Sequence, residues 1–201
     1  EVCSGCGYTA TDRDNHEKDT FTNGIRDCCG EYQNAVLNGD GVYEIVNAGQ
    51  LLWFAEKVNG GEIARDAAAV LTADIDLAGK TVTSIGVAPN SGQSTSTSYQ
   101  GIFDGNGHVI RNMSISRAFS ANASAAIAMF NMTDGATIKN LGIENATITN
   151  TSAKSGVFLS ALVGRSYGST IENCYVKNST IVSTKNGNYI QAAGPIAAYI
   201  N

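Results

Sequence analysis

The chain has 201 residues, 43% hydrophobic and only 15% charged, with 22 Gly, 2 Pro and a remainder dominated by Asn, Ser, Thr and Ala. No apolar run approaches the roughly 18 residues needed to span a bilayer, and the formal net charge of −5 gives nucleic acid no positive field to meet. This is the composition of a secreted or cell-surface protein. Glu1 is not a natural initiator, so a removed leader or a longer N-terminus is expected ahead of it.

Residues 1–35 read as a separate segment, because charged residues (Asp12, Arg13, Asp14, Glu17, Lys18, Asp19) crowd there and four of the five cysteines lie between Cys3 and Cys29. Cys3-Ser-Gly-Cys6-Gly sets two thiols ahead of a glycine turn, the spacing at which two thiolates face one metal. The second half is less regular, since Arg26 stands where a partner three residues before Cys29 belongs. A structural zinc on Cys3, Cys6 and Cys29 would take its fourth ligand from Cys28, His16 or Asp27, and adjacent cysteines seldom share one tetrahedral ion. Disulfides are the other outcome for a small exported segment unable to build its own core. Both stay open.

Residues 36–69 contain a linker and one amphipathic helix. Asn47 is a good N-cap with Gln50 three residues later, the apolar set Leu51, Leu52, Phe54, Ala55 and Val58 follows, and Gly60-Gly61 ends it. A helix laid over the first coil of a stack would cover its apolar end and block edge pairing. Trp53, the single Trp, is read as part of that cap, with ligand stacking as the alternative.

Residues 70–201 carry an internal repeat. Ala136–Ile148 and Ser169–Ile181 align without a gap at an offset of 33 (171 − 138), and Ala128-Met-Phe-Asn131 falls on Ala161-Leu-Val-Gly164 and then on Gly194-Pro-Ile-Ala197. Such a period marks an array whose units bury their apolar face on the next unit. Short Thr-, Ile- and Val-rich segments broken by Asn and Gly favour strands over helices. A degenerate copy, Ile110–Ile115, aligns with Ile138–Ile143 at an offset of 28 (138 − 110), which places Met113 with Leu141 and Cys174, and Asn112 with Asn140 and Asn173. Those three Asn are read as a structural ladder, and Cys174 as a small buried hydrophobe. The expected fold is all-β: a right-handed parallel β-helix (β-solenoid), the N-terminal part of a longer array, with an N-terminal capping helix and the small Cys-rich segment.

Tyr43-Glu-Ile, Asn47-Ala-Gly-Gln-Leu, Trp53-Phe-Ala, Leu71-Thr-Ala-Asp-Ile-Asp-Leu77, Gly101-Ile-Phe-Asp-Gly-Asn-Gly-His108 and Ala161-Leu-Val-Gly164 together resemble a family of bacterial surface β-helix proteins with the Gly-Leu-hydrophobic-Gly (GLUG) repeat. The resemblance covers about residues 43–201. It implies a β-helix of the kind found in adhesin-like proteins and beside the catalytic domains of IgA1-specific metallopeptidases. In such proteins a Cys-rich segment, with a zinc-ribbon-like look, often precedes the β-helix. Arg26 departs from that pattern, and Ala128 and Ala161 replace the first Gly of the repeat.

No catalytic motif stands out. A metallopeptidase needs His-Glu-x-x-His, and the only histidines are His16 and His108. Asp104-Gly-Asn-Gly-His108 is a turn with positive backbone angles before it is an acid site. Asp74 and Asp76 alternate with apolar residues and so share an outer face. Asn112, Asn122, Asn131, Asn145, Asn150 and Asn178 head glycosylation sequons, which an Asn-, Ser- and Thr-rich chain generates by chance. Two functional readings remain. The favoured one is a non-catalytic extracellular or cell-surface binding or adhesion module for a host or environmental glycan or protein, glycoproteins included, using Thr, Asn and Ser ladders with aromatics such as Tyr99, Tyr167 and Tyr175. The other is a carbohydrate-active enzyme, a polysaccharide lyase or glycosidase, whose acids cluster around Asp74, Asp76, Asp104 and His108. An accessory region of a secreted peptidase is a variant of the first.

Overall fold

The computed structural model describes residues 20–27, 29–87, 98–118, 125–151, 156–184 and 190–201, the side chains of 190 and 191 excepted. Cys3, Cys6, His16, Cys28 and Asn122 lie outside the described residues.

A short antiparallel ladder, β1 (Phe21–Thr22) with β2 (Ile25–Arg26), precedes the antiparallel pair β3 (Val36–Leu37) and β4 (Val42–Ile45), helix α1 (Ala48–Gly60), β5 (Ala68–Leu71) and β6 (Ile75–Asp76). Three coils follow, each with five strands. The first holds β7 (Ile102–Asp104), β8 (Val109–Arg111), β9 (Ser114–Arg117), β10 (Ala126–Ile127) and β11 (Phe130–Asp134). The second holds β12 (Thr137–Lys139), β13 (Gly142–Glu144), β14 (Thr147–Asn150), β15 (Val157–Ser160) and β16 (Val163–Tyr167). The third holds β17 (Thr170–Glu172), β18 (Tyr175–Lys177), β19 (Thr180–Ser183), β20 (Ile190–Gly194) and β21 (Ala197–Ile200). Equivalent strands stack in parallel as β17-β12-β7-β5-β4, β18-β13-β8-β6, β19-β14-β9, β20-β15-β10 and β21-β16-β11, with β3 added antiparallel to β4. The protein is a parallel β-solenoid of about three turns. Parallel stacking already begins where Val42 pairs with Ala68.

The chain turns so often because its sequence repeats on a shorter scale than the coil. Ile138, Ile143 and Ile148 are spaced by five residues, as are Ile171, Val176 and Ile181. Each unit is a three- or four-residue strand and a two-residue corner. The corner opens on an Asn in the left-handed region, Asn140 at φ 52°, Asn145 at 54°, Asn173 at 50° and Asn178 at 51°, a conformation that Asn tolerates better than other non-Gly residues. The central residue of each strand points inward, giving stacks such as Phe103–Ile138–Ile171, Ile110–Ile143–Val176 and Ile115–Ile148–Ile181. Full burial of each Ile or Leu contributes roughly 1.5–3 kcal/mol.

This five-residue sub-period corrects the alignment of the first copy. Ile110 pairs with Ile143 and Ile115 with Ile148, an offset of 33 (143 − 110) and not 28. The pattern Ile-x-Asn-apolar-x-Ile occurs at consecutive corners, so the sequence match had slipped by one strand. Met113 therefore lies in the column of Ala146, and Asn112 in that of Asn145. The third copy slips as well: a register shift after Val157 pairs Ser160 with Gly194 and Val163 with Ala197, an offset of 34 (197 − 163). Ile110, Met113, Ile138 and Leu141 are fully buried. Ile171 and Cys174 are only partly buried, because they lie on the third coil, beyond which no strand packs among the described residues.

Helix α1 starts as its sequence dictates. Asn47 Oδ1 accepts from Gln50 N at 2.9 Å, Gln50 Oε1 accepts from Val46 N at 2.8 Å, and Gly61 ends the helix at φ 77°. Its apolar side joins the core that holds Ile45, Leu71 and Ile75, with Phe54 edge-on to Tyr99 at 6.3 Å. Asn23 ties the preceding turn to both elements, accepting from Ala48 N at 3.1 Å and donating to Asp76 O at 2.8 Å. Gly49 permits this close approach, since a Cβ there would fall 1.7 Å from the Gly24 carbonyl oxygen. No helix among the described residues is long and apolar enough to cross a membrane.

Candidate functional site

The outer face of β6-β8-β13-β18 gathers most of the chemistry of the described residues. Parallel pairing stacks Asp76, Arg111, Glu144 and Lys177 in one row and Val109, Gly142 and Tyr175 in the next. On the neighbouring sheet Asp104, Lys139 and Glu172 form a similar row. Side chains stacked one strand apart repel when alike and attract when opposite, so the sign alternates from coil to coil. That is the physical reason why equivalent outer positions of the repeat exchange charge.

Of the four residues proposed as acid and base, Asp74 and His108 are brought together and the others are drawn into the scaffold. His108 Nδ1 lies 3.2 Å from Asp74 Oδ1, which also accepts from Val109 N at 3.1 Å, while Arg111 donates to Asp74 Oδ2 at 2.8 Å. The Val109 amide is the main cause holding the Asp74 carboxyl below the ordinary range; slight burial opposes it, and His108 and Arg111 assist. Asp76 accepts from Asn112 Nδ2 at 2.9 Å and from Ala78 N at 2.9 Å, and both bonds lower it. Asp104 is pushed up by partial burial, but bonds from Asn140, Asn106 and Lys139 outweigh this and leave it lowered.

The expected Asn ladder exists as two columns. Asn173 Nδ2 donates to Asn140 Oδ1 at 3.2 Å, and Asn140 Nδ2 to Asp104 at 2.9 Å. One corner further along the coil, Asn145 donates to Asn112 at 3.4 Å, and Asn112 to Asp76. Each column of amides ends on a carboxylate. The Asp104-Gly-Asn-Gly-His108 segment is the turn read from sequence, with Asn106 at φ 50° and Gly107 at 81°, but it joins strands of different sheets and forms a corner instead of a hairpin.

Sequence reasoning missed Arg111 and its pairing with Glu144, whose Nε and Oε2 lie 3.5 Å apart. The 33-residue register was the signal that would have found them, because it sets Arg111 against Glu144, whereas an offset of 28 sets it against Lys139. Of the three tyrosines singled out, Tyr99 is fully buried and donates to Ala67 O at 2.7 Å. Tyr167 packs with Arg165 and Tyr199. Tyr175 is 44% exposed; its ring lies across Gly142, and its hydroxyl donates to Glu144 Oε1 at 2.9 Å. A cavity of about 330 Å³ opens beside it, lined by Gly107, Asn140, Leu141, Gly142, Asn173 and Tyr175.

Trp53 is partly buried against Tyr43, ring centroids 6.1 Å apart, and borders a second cleft with Tyr32, Glu56 and Lys57. Of the proposed zinc set only Cys29 and Asp27 are among the described residues: Cys29 is a half-buried free thiol, Asp27 accepts from the Thr20 and Thr22 hydroxyls, and no group of three His, Cys, Asp or Glu suited to a metal occurs among the described residues. Burial raises the Cys174 thiol, as befits an inert packing residue.

No protein-family model matches the chain, and no curated protein matches it. Among solved structures it is similar to a Bacteroides ovatus protein provisionally assigned as an immunoglobulin A1 protease, at 20% identity and a TM-score of 0.38, over 86% of this chain and 66% of that one.

Proposed function

We propose that the chain is a non-catalytic extracellular or cell-surface module that binds a glycan or glycoprotein of a host or of the environment, as an adhesion domain does. The observation that carries this is the state of the candidate acids. Asp74, Asp76 and Asp104 are each bonded to two or more donors and lowered in pKa, whereas a general acid must keep its proton near working pH. These carboxylates hold corners and rows together. What stays accessible is a mixed surface of amides, hydroxyls, paired charges and the Tyr175 ring, suited to recognition. A right-handed solenoid and a capping role for α1 are part of the same reading, the latter supported by the contact of Phe54 with Tyr99. So is a structural zinc on Cys3, Cys6, Cys29 and Cys28, or on His16 in place of Cys28. Native mass spectrometry would show one zinc, or a loss of two hydrogens per Cys pair if disulfides form instead.

One observation favours the enzyme: the 3.2 Å contact of His108 with Asp74. Both Asp74 oxygens are already engaged, which makes the pair a support for the turn. The test of the module is retention of purified protein on a printed array of glycans and mucins. Binding to a defined subset is expected, and the absence of binding to every feature would overturn the reading.

A further inference from the structure

The geometry points to a subsite for a single neutral pyranose ring at the corner between β12 and β13, with the Tyr175 ring as its stacking wall. This rests on the binding-module reading and names the ligand class and place.

The cavity exists because side chains are missing there. Gly107 and Gly142 leave about 330 Å³ open between the corner residues Asn140, Leu141 and Asn173 and the ring of Tyr175, the small end of ligand pockets, which run from about 300 to 1,000 Å³. One sugar ring fits such a volume. The ring is also pre-oriented. It lies across Gly142, where a Cβ would fall 2.6 Å from its Cζ, and its hydroxyl is tied to Glu144, which Arg111 holds in turn. A platform already fixed before binding costs little ordering entropy. An aromatic face accepts the C–H side of a pyranose, while the exposed Asn173 amide carries both donor and acceptor for the ring hydroxyls.

Charge selects the class of sugar. The two flanking rows, Asp76–Arg111–Glu144–Lys177 and Asp104–Lys139–Glu172, alternate in sign, so every cation is neighboured by a carboxylate. A uronate or sialic acid would gain no net attraction, and a neutral hexose loses none.

The test compares four variants with the unmodified chain on an array that prints neutral galactose-, glucose- and N-acetylhexosamine-terminated oligosaccharides beside uronates and sialosides, followed by titration of the strongest feature. Tyr175→Ala is expected to weaken binding roughly tenfold or more, and Tyr175→Phe, which keeps the ring, to weaken it less. Gly142→Ala should displace the ring and lower affinity while the thermal midpoint stays near that of the unmodified chain. Trp53→Ala should leave affinity unchanged. Glycan binding that survives both Tyr175→Ala and Gly142→Ala, that depends on Trp53, or that is confined to anionic sugars overturns the subsite and leaves the module standing. Failure of the unmodified chain to bind any feature overturns the module and the subsite together.

Discussion

Asn140 donates its side-chain amide to Asp104 at 2.9 Å, one coil earlier in the stack, with its own backbone at φ 52°. The residue therefore does two things at once, turning the corner and bonding to the previous one. Asn140→Gly keeps the turn and loses both the bond to Asp104 and the one accepted from Asn173, at about 1–2 kcal/mol; Asn140→Ala loses the same two bonds and adds left-handed strain, about 2–3 kcal/mol in all. Denaturant unfolding would separate them. A loss for neither variant would show that the column carries no stability.

Three of the lowered carboxylates, those of the solenoid, predict acid sensitivity. A group whose folded pKa lies below its unfolded value adds stability above the unfolded value and loses it as pH falls through the folded one. Asp74, Asp76 and Asp104 all lie below the ordinary 3.8. The thermal midpoint should thus hold steady down to about pH 5 and fall below about pH 4. Asp104→Asn should flatten part of that fall. A midpoint that rises on acidification through this window would contradict the assignment.

Core position within the stack should set the cost of truncation. Leu141 is fully buried in the middle coil, so Leu141→Ala should cost about 2–5 kcal/mol. Cys174 occupies the equivalent place on the last coil and is partly exposed, so Cys174→Ala should cost less than about 1.5 kcal/mol. Equal costs would contradict the dependence on position in the stack.

Glu144→Lys would set a third cation in the row between Arg111 and Lys177 and remove the Tyr175 acceptor. The thermal midpoint should drop, and added salt should recover part of the drop by screening. Exchanging the pair as Arg111→Glu with Glu144→Arg should not restore the unmodified midpoint, because the new side chains then face Asp76 and Lys177 as like charges. A midpoint equal to that of the unmodified chain would refute the row.

The sequence made the solenoid legible because identical apolar residues recur at 33, and it made α1 legible through Asn47, Gln50 and Gly61. It hid the true register of the first copy, since Ile-x-Asn-apolar-x-Ile recurs every five residues and a slip of one corner leaves the match almost as good. That slip concealed the opposition of Arg111 and Glu144 and merged two Asn columns into one. Nothing in the local pattern of Tyr99 distinguished it from Tyr175. The difference arises only because Tyr99 lies beneath α1 beside Phe54, while Tyr175 crosses a glycine on an open face.

Binding without cleavage is the central claim, and the mass of a glycan recovered after prolonged incubation with the protein tests it most directly. Pectin, xylan and mucin oligosaccharides should be recovered at their original length, whether retained or not. Shortened chains, produced by the unmodified protein and absent with Asp74→Asn or His108→Ala, would contradict the account and assign the Asp74–His108 pair to catalysis.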